Sequence, residues 1–392
     1  MGKELAASNT PVFSVDSQGG LSRFRQLAVL GEDSLRFLSD LSGGKFLGSI
    51  DYQEKIAEEI QIVTGNYYVL GYYIDEKWDG KHHDIKVEVK RKGSVVYAQS
   101  GYYNPKPFDE FSDNEKLFHL LDLAFGEKAY FQEPLRFRAI ALPCSEGKKH
   151  NLILLSEIPV GEMKENGVIG EKTEAATFIV DEGRNLVESI KGELNFFELP
   201  QGEIFQYTIS SLPPGCYEGR VVIRNSKTGK GAVAFSSFSI PKHLESGILL
   251  HQPLVLIPSR ETQYLKLEKV RDKDVKTVSI NTLYPFLSNK HTPVIGALNK
   301  ASRSLLTVMR CSINKLDDPE IEIFASLELL PSREKTSIPL SIIAAEKKEN
   351  IELLFIELNL PDLQPGRYSM EFTAREKRTK LESIVTQILE VK

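Results

Sequence analysis

His82, His83 and Asp84 stand side by side and make the densest group of metal-ligating side chains in the sequence. Imidazole and carboxylate suit zinc and its relatives, but a site needs three or four such groups converging on one point. Adjacent residues on a strand face opposite ways, so the two imidazoles cannot share an ion within regular β-structure. Cys144 and His150, the next candidates, are distant in the chain and follow no ligand spacing. The pair reads as the entry to a strand. Asp40-Leu41-Ser42-Gly43-Gly44 imitates the carboxylate and hydroxyl pattern of a Mg2+ loop, yet it lacks a second serine and its paired glycines mark a helix end. Gly43-Gly44-Lys45 and Gly229-Lys230-Gly231 carry phosphate-loop vocabulary in the wrong setting and read as turns. No nucleophile elbow, His-Glu-x-x-His helix or dinucleotide loop occurs. The sequence therefore predicts no catalytic, cofactor-binding or metal-ligating residue and no cofactor.

Tyrosine is the other residue type gathered in one region: Tyr67, Tyr68, Tyr72, Tyr73, Tyr97, Tyr102 and Tyr103. Such a cluster could stack on a sugar or a peptide. Tyrosine is also a favoured strand residue, and the spacing predicts an aromatic face that is mostly buried.

The elements that would position these residues change character along the chain. Residues 2–8 read as a helix fragment, Pro11 to Asp16 as a short buried strand, and residues 17–20 as a loop. Leu35, Leu38 and Leu41 recur at helical spacing up to Gly43-Gly44, followed by the apolar Lys45-Phe46-Leu47. A second helical stripe, Tyr52, Ile56, Ile60 and Val63, stops at Thr64-Gly65. Strand-like runs come next: Tyr67 to Tyr73, then Ile85, Val87 and Val89 in alternation, then a turn at Lys92-Gly93 into Val95-Val96-Tyr97. Alternating strands and helices predict a parallel sheet with crossover helices.

These residues resemble bacterial VWFA-related domains. The carriers are a helix, Gly-Gly, a short strand, a helix, Tyr-Tyr-Val-Leu-Gly-Tyr-Tyr at 67–73, Gly80-Lys81-His82-His83-Asp84-Ile85-Lys86-Val87, and Ser100-Gly101-Tyr102-Tyr103. The resemblance implies the closing part of a von Willebrand factor type A domain with its β extension. It also implies that the first strand and most of the doubly wound sheet are missing, an N-terminal truncation that removes the Asp-x-Ser-x-Ser metal loop. Relatives in that family are usually exported, whereas Met1-Gly2-Lys3-Glu4 is no secretion signal, and Ala6 departs from the myristoylation pattern. Localisation stays open, with the resemblance pointing outside the cytoplasm.

Pro105, Pro107 and Asp109-Glu110 mark a boundary, after which Ser112-Asp113 caps a helix with Leu117, Leu120, Leu121 and Leu123 on its apolar side. From Pro134 the texture is all strand, bounded by Pro, Gly, Asn and Asp: 135–142, 151–158, 176–180, 205–209, 217–224 and 232–240. After Lys242 come 254–257, 305–313, 321–330, 338–344, 351–358, 368–374 and 384–391. Regular short strands of this kind predict antiparallel sandwiches. An internal echo joins the two sets, because Leu212-Pro213-Pro214-Gly215-Cys216-Tyr217 and Leu363-Gln364-Pro365-Gly366-Arg367-Tyr368 share Leu-x-Pro-Gly-x-Tyr ahead of an alternating strand. Pro-Gly makes the turn, and the tyrosine can return its hydroxyl to the backbone as a tyrosine corner does. The first copy, followed by Lys227-Thr228-Gly229-Lys230, also resembles the sandwich that succeeds a VWFA-related segment.

The expected architecture is multidomain: a partial α/β, von Willebrand type A-like segment with β extension at 1–105, a helical connector at 106–132, and two all-β immunoglobulin-like sandwiches at 133–242 and 243–392. At 41% hydrophobic residues over 392 positions there is material for a core in each. A formal charge of -5 of mixed sign gives no broad basic field, which argues against nucleic acid or anionic membrane as a partner. No apolar run is long enough for a membrane span. The three cysteines, Cys144, Cys216 and Cys311, form no disulfide framework, and Cys311 reads as a small buried hydrophobe within a strand. The expected role is non-catalytic, a binding or adhesion protein for a protein or surface ligand. The alternatives are a hydrolase with dispersed catalytic residues and a structural spacer that presents another domain.

Overall fold

The computed structural model describes residues 11–16, 25–49, 53–65, 68–71, 79–94, 96, 98, 101–104, 106–126, 134–146, 149–196, 203–259, 261–268, 279–299, 302–330, 332 and 334–392. The chain divides into two compact units, Met1–Phe111 and Ser112–Lys392.

In the first unit β1 (Phe13–Asp16) and β2 (Lys45–Ser49) pair in parallel, joined by α1 (Arg25–Ser42). The two-glycine stop operates as the sequence predicts. Gly43 takes φ +77°, its N–H bonds to Asp40 O, and the Gly44 N–H reaches back to Ser39 O at 2.9 Å, closing the helix in a Schellman motif. Gly44 has a second reason to lack a side chain, since a Cβ there would collide with the Val12 carbonyl oxygen. Serines fasten this helix to β1: Val12 N–H donates to Ser42 Oγ at 2.8 Å and Ser14 Oγ meets Ser39 Oγ at 2.7 Å.

Beyond α2 (Gln53–Gly65), which buries Ile56 and leaves Ile60 exposed, the first unit departs from expectation. Residues 68–71 form no strand, and Tyr68 is 92% exposed, so the buried aromatic face does not include it; Tyr67, Tyr72, Tyr73 and Tyr97 lie outside the described residues. The alternation of Ile85, Val87 and Val89 makes no strand either. Among the described residues of this stretch only β3 (His82–Asp84) is laddered, against β4 (Gly101–Tyr103), and Val89 is exposed. Alternation marks a strand only where a neighbour supplies the other half of the ladder.

The second unit opens with α3 (Asp113–Phe125), whose Ser112 cap forms a full capping box with Glu115. This helix is more than a connector. Leu120, Leu123 and Ala124 are buried on Ala176, Phe178, Val222 and Val233, so the helix roofs a sheet, while Leu117 stays exposed.

That sheet, S1, runs β5 (Leu135–Arg136), β12 (Gly231–Ile240), β11 (Gly215–Asn225), β8 (Thr173–Asp181), β9 (Leu186–Leu194). Sheet S2 runs β15 (Thr262–Lys266), β10 (Glu203–Ser211), β7 (Lys149–Ile158), β6 (Arg138–Glu146), and α4 (Val160–Glu165) links β7 to β8. Sheet S3 runs β16 (His291–Pro293), β14 (Leu254–Pro258), β18 (Ser304–Asn314), β22 (Ile351–Asn359), β21 (Leu340–Lys348), with β13 (Gly247–Leu250) also on β18. Sheet S4 runs β17 (Ala297–Leu298), β24 (Glu382–Val391), β23 (Gly366–Glu376), β19 (Ile321–Leu330), β20 (Glu334–Ile338). A short helix, α5 (Ile280–Leu283), lies between β15 and β16.

S1 and S2 enclose one core, with Leu152 and Leu154 against Ile179, Val221 and Ala234. S3 and S4 enclose another, with Leu305, Met309, Cys311 and Ile356 against Leu327, Met370 and Phe372. A third cluster joins the two sandwiches: Leu142, Ile153, Leu155 and Phe205 from S2 share it with Leu254, Leu256 and Val308 from S3 and with α5. S2 is thereby covered on both faces. This explains the run Leu152-Ile153-Leu154-Leu155, each 0% exposed, as the unbroken apolar signature of a doubly covered strand. At roughly 1.5–3 kcal/mol for each large side chain removed from water, these residues anchor the whole unit.

The two sandwiches repeat one plan. β5-β12-β11-β8-β9 and β17-β24-β23-β19-β20 are the same sequence of neighbours, each with a two-residue edge strand parallel to its neighbour, β12 or β24. In the inner sheets β6-β7-β10 matches β14-β18-β22, and β21 flanks β22. The corresponding place beside β10 is filled by β15, in parallel and from the far side of residue 242, with Phe205 in register with Tyr264. The second sandwich therefore lends the first its edge strand.

Candidate functional site

The groups that sequence chemistry singled out do not converge. His83 Nε2 lies 3.2 Å from Asp79 Oδ1 and its ring stacks on Tyr102 at 5.1 Å, whereas His82 Nδ1 lies 3.1 Å from Asp84 Oδ1. Each imidazole thus has its own carboxylate at the start of β3. Gly101 makes room for one of them, because a Cβ there would collide with the His82 ring. Asp40 is exposed while Ser42 is buried and bonded to Ser39 O and Val12 N–H, so the pair faces no common ion. Gly229, at φ +75°, closes a turn in which Asn225 Oδ1 accepts from the N–H groups of Lys227 and Thr228. Cys144 and Cys311 are buried and Cys216 is exposed, and none of the three is in a disulfide. Among the described residues no cluster of His, Cys, Asp and Glu could hold a metal ion, and no helix is long and apolar enough to cross a membrane.

Buried polar chemistry in the second unit serves packing. Arg224 and Glu174, neighbours across β11 and β8, are joined through Nε and Nη2, and Arg224 Nη1 donates to Lys116 O at 2.6 Å, pinning α3 from below. His119 on that helix is held down to about 4, first by burial and then by the Arg224 charge. Where the sandwiches meet, Arg310 donates to Leu283 O with its guanidinium 6.0 Å from the Tyr284 ring centroid. His251 Nε2 lies 2.7 Å from Ser312 Oγ, and burial, with Arg310 next, drives its value down to about 3. His150 Nδ1 lies 2.8 Å from Ser145 Oγ.

The candidate site is a cleft of about 440 Å³ beside the lent strand. Tyr207 of β10, Tyr264 of β15, Ile280 and Leu287 form its apolar part; Thr262, Ser279, Asn281, Ser288 and Asn289 supply hydroxyl and carboxamide groups. Tight bonds hold its frame: Tyr264 Oη donates to His291 O at 2.7 Å, Thr262 Oγ1 meets Thr292 Oγ1 at 2.7 Å, and Thr262 N–H donates to Asn289 O at 2.7 Å. Burial pushes both phenols above their ordinary value. Among the described residues none of the lining side chains is ionised at neutral pH, and these can position a ligand by shape and neutral hydrogen bonds. Sequence reasoning missed it because its residues come from β10, β15 and the 279–289 segment, which only the strand exchange brings together.

Compared with known protein families and with curated proteins, the chain matches no family model and no curated sequence.

Proposed function

We propose that this chain is a non-catalytic binding protein: two immunoglobulin-like sandwiches fused into one scaffold, preceded by a unit related to von Willebrand factor type A domains. Strand order supports the immunoglobulin-like reading. The four long strands of each five-stranded outer sheet and the inner-sheet order, with tyrosine corners before β11 and β23, follow the plan of that fold. The parallel β1–β2 pair joined by a helix supports the type A reading of the first unit.

The observation that carries the functional reading is the division of labour in the second unit. Buried titratable groups, Arg224 with Glu174 and His251 with Ser312, are engaged in holding elements together, while the described residues that line the open cleft are neutral. A rigid scaffold with a neutral recess suits recognition. The test is to incubate the full chain with chromogenic ester, peptide, phosphoester and glycoside substrates while following melting temperature with uncleavable counterparts. Stabilisation without turnover is expected; turnover that co-purifies with the protein and scales with its concentration would overturn the reading.

A further inference from the structure

We infer that the cleft beside β15 is a site for a small uncharged polyhydroxylated ligand, a neutral sugar of about disaccharide size; this rests on the binding reading above. Its volume of about 440 Å³ falls in the range of small-molecule sites. Charge argues against ionic ligands: among the described residues no lining side chain is ionised, and Lys266, at the end of β15, pairs with Glu268, so a carboxylate or ammonium would give up hydration without a counter-charge from them.

The aromatic part points the same way. The Tyr264 phenol is committed to His291 O and its ring stacks on Phe205 at 5.9 Å, so the ring is fixed in place. A pre-set ring costs little entropy on binding and offers a surface to the C–H face of a pyranose. Asn281 and Asn289 are exposed at the rim. A carboxamide carries both donors and an acceptor, the combination that matches a hydroxyl pair, since each sugar hydroxyl also donates and accepts. The pieces come from both sandwiches, so the site exists only while β15 is docked on β10.

Titration calorimetry of the full chain with cellobiose, maltose and N,N′-diacetylchitobiose tests the inference, with glucuronic acid and glucosamine as charged controls. A saturable heat for at least one neutral disaccharide is expected, about tenfold weaker in Asn281→Ala or Asn289→Ala, the loss of roughly one hydrogen bond. Both positions are exposed, so the variants should keep the parent melting temperature. Equal binding of the charged sugars, binding that both variants leave intact, or no heat at millimolar sugar would each overturn it. Absence of sugar binding together with a silent substrate panel would remove this inference and leave the binding reading standing.

Discussion

Tyr217 and Tyr368 hold the same corner in the two sandwiches, yet they are not bonded alike. Each donates its hydroxyl to the carbonyl four residues upstream, Pro213 O and Gln364 O, both at 2.9 Å. Tyr368 also accepts the Gln364 N–H at 3.1 Å. Pro213 has no N–H to give. Tyr217→Phe should therefore cost about 1 kcal/mol, and Tyr368→Phe somewhat more, because it leaves a donor as well as an acceptor without its partner. The tyrosines lie in separate cores, so the losses should add in denaturant unfolding. Equal midpoints for parent and both variants would remove the corner from the account of stability.

The outer sheets offer a second paired comparison. Aligning the corners sets Arg224 opposite Arg375, and Glu174 opposite Glu322 as their cross-strand neighbours. In the first sandwich Gly231 lets Leu123 approach, its absent Cβ lying 2.5 Å from Leu123 Cδ1. Glu382 occupies that place in the second and bonds Arg375 Nε at 2.5 Å in an exposed pair. Arg224→Ala should cost about 2–3 kcal/mol, since it leaves the buried Glu174 with Lys191 as its remaining ionic partner and takes the donor from Lys116 O, and should expose α3 amides to exchange. Arg375→Ala should cost under about 1 kcal/mol. Similar losses at the two positions would contradict the difference in burial.

The lent strand predicts an asymmetry between the sandwiches. A chain ended after residue 246 would keep every S1 strand but lose β15, leaving the β10 edge open. It should bind hydrophobic dye and self-associate. In the full chain Leu267→Pro removes the N–H that bonds Tyr207 O at 2.8 Å and should melt well below Leu267→Ala, which keeps that bond. A compact, dye-silent piece ending at 246 would show that β10 needs no neighbour beyond β7.

Acid should loosen the second unit. His251 and His119, held near 3 and 4 by burial, stay neutral in the folded chain while the unfolded chain takes up protons below about 6.5. Stability is then unaffected by these groups above the ordinary imidazole value and falls as pH drops from there towards 4. His251→Asn should flatten part of that slope. A melting temperature independent of pH between 7 and 5 would exclude the effect.

Local features were legible in the chain. The Gly43-Gly44 stop, the Ser112 cap and the two Leu-x-Pro-Gly-x-Tyr corners depend on a few neighbouring residues, and each forms as its spacing predicts. Pairing was not legible. Ile85 to Val89 alternates without joining a ladder, whereas Leu186 to Leu194, an edge strand with Leu186 and Val187 exposed, joins one without a clear pattern. Thr262 to Lys266 gives no hint that it belongs to the earlier sandwich. The stacking of S2 on S3 does leave a trace, the unbroken Leu152 to Leu155, which by pattern alone is only one more strand.

Strand lending also sets a timetable for synthesis. A ribosome emits β10 more than fifty residues before β15, so the first sandwich must wait several seconds, at roughly 5–20 residues per second, with one edge unsatisfied. During that interval the nascent chain is open to mispairing with any extended segment at hand, and Pro213-Pro214, directly after β10, limits how far such a pairing could run.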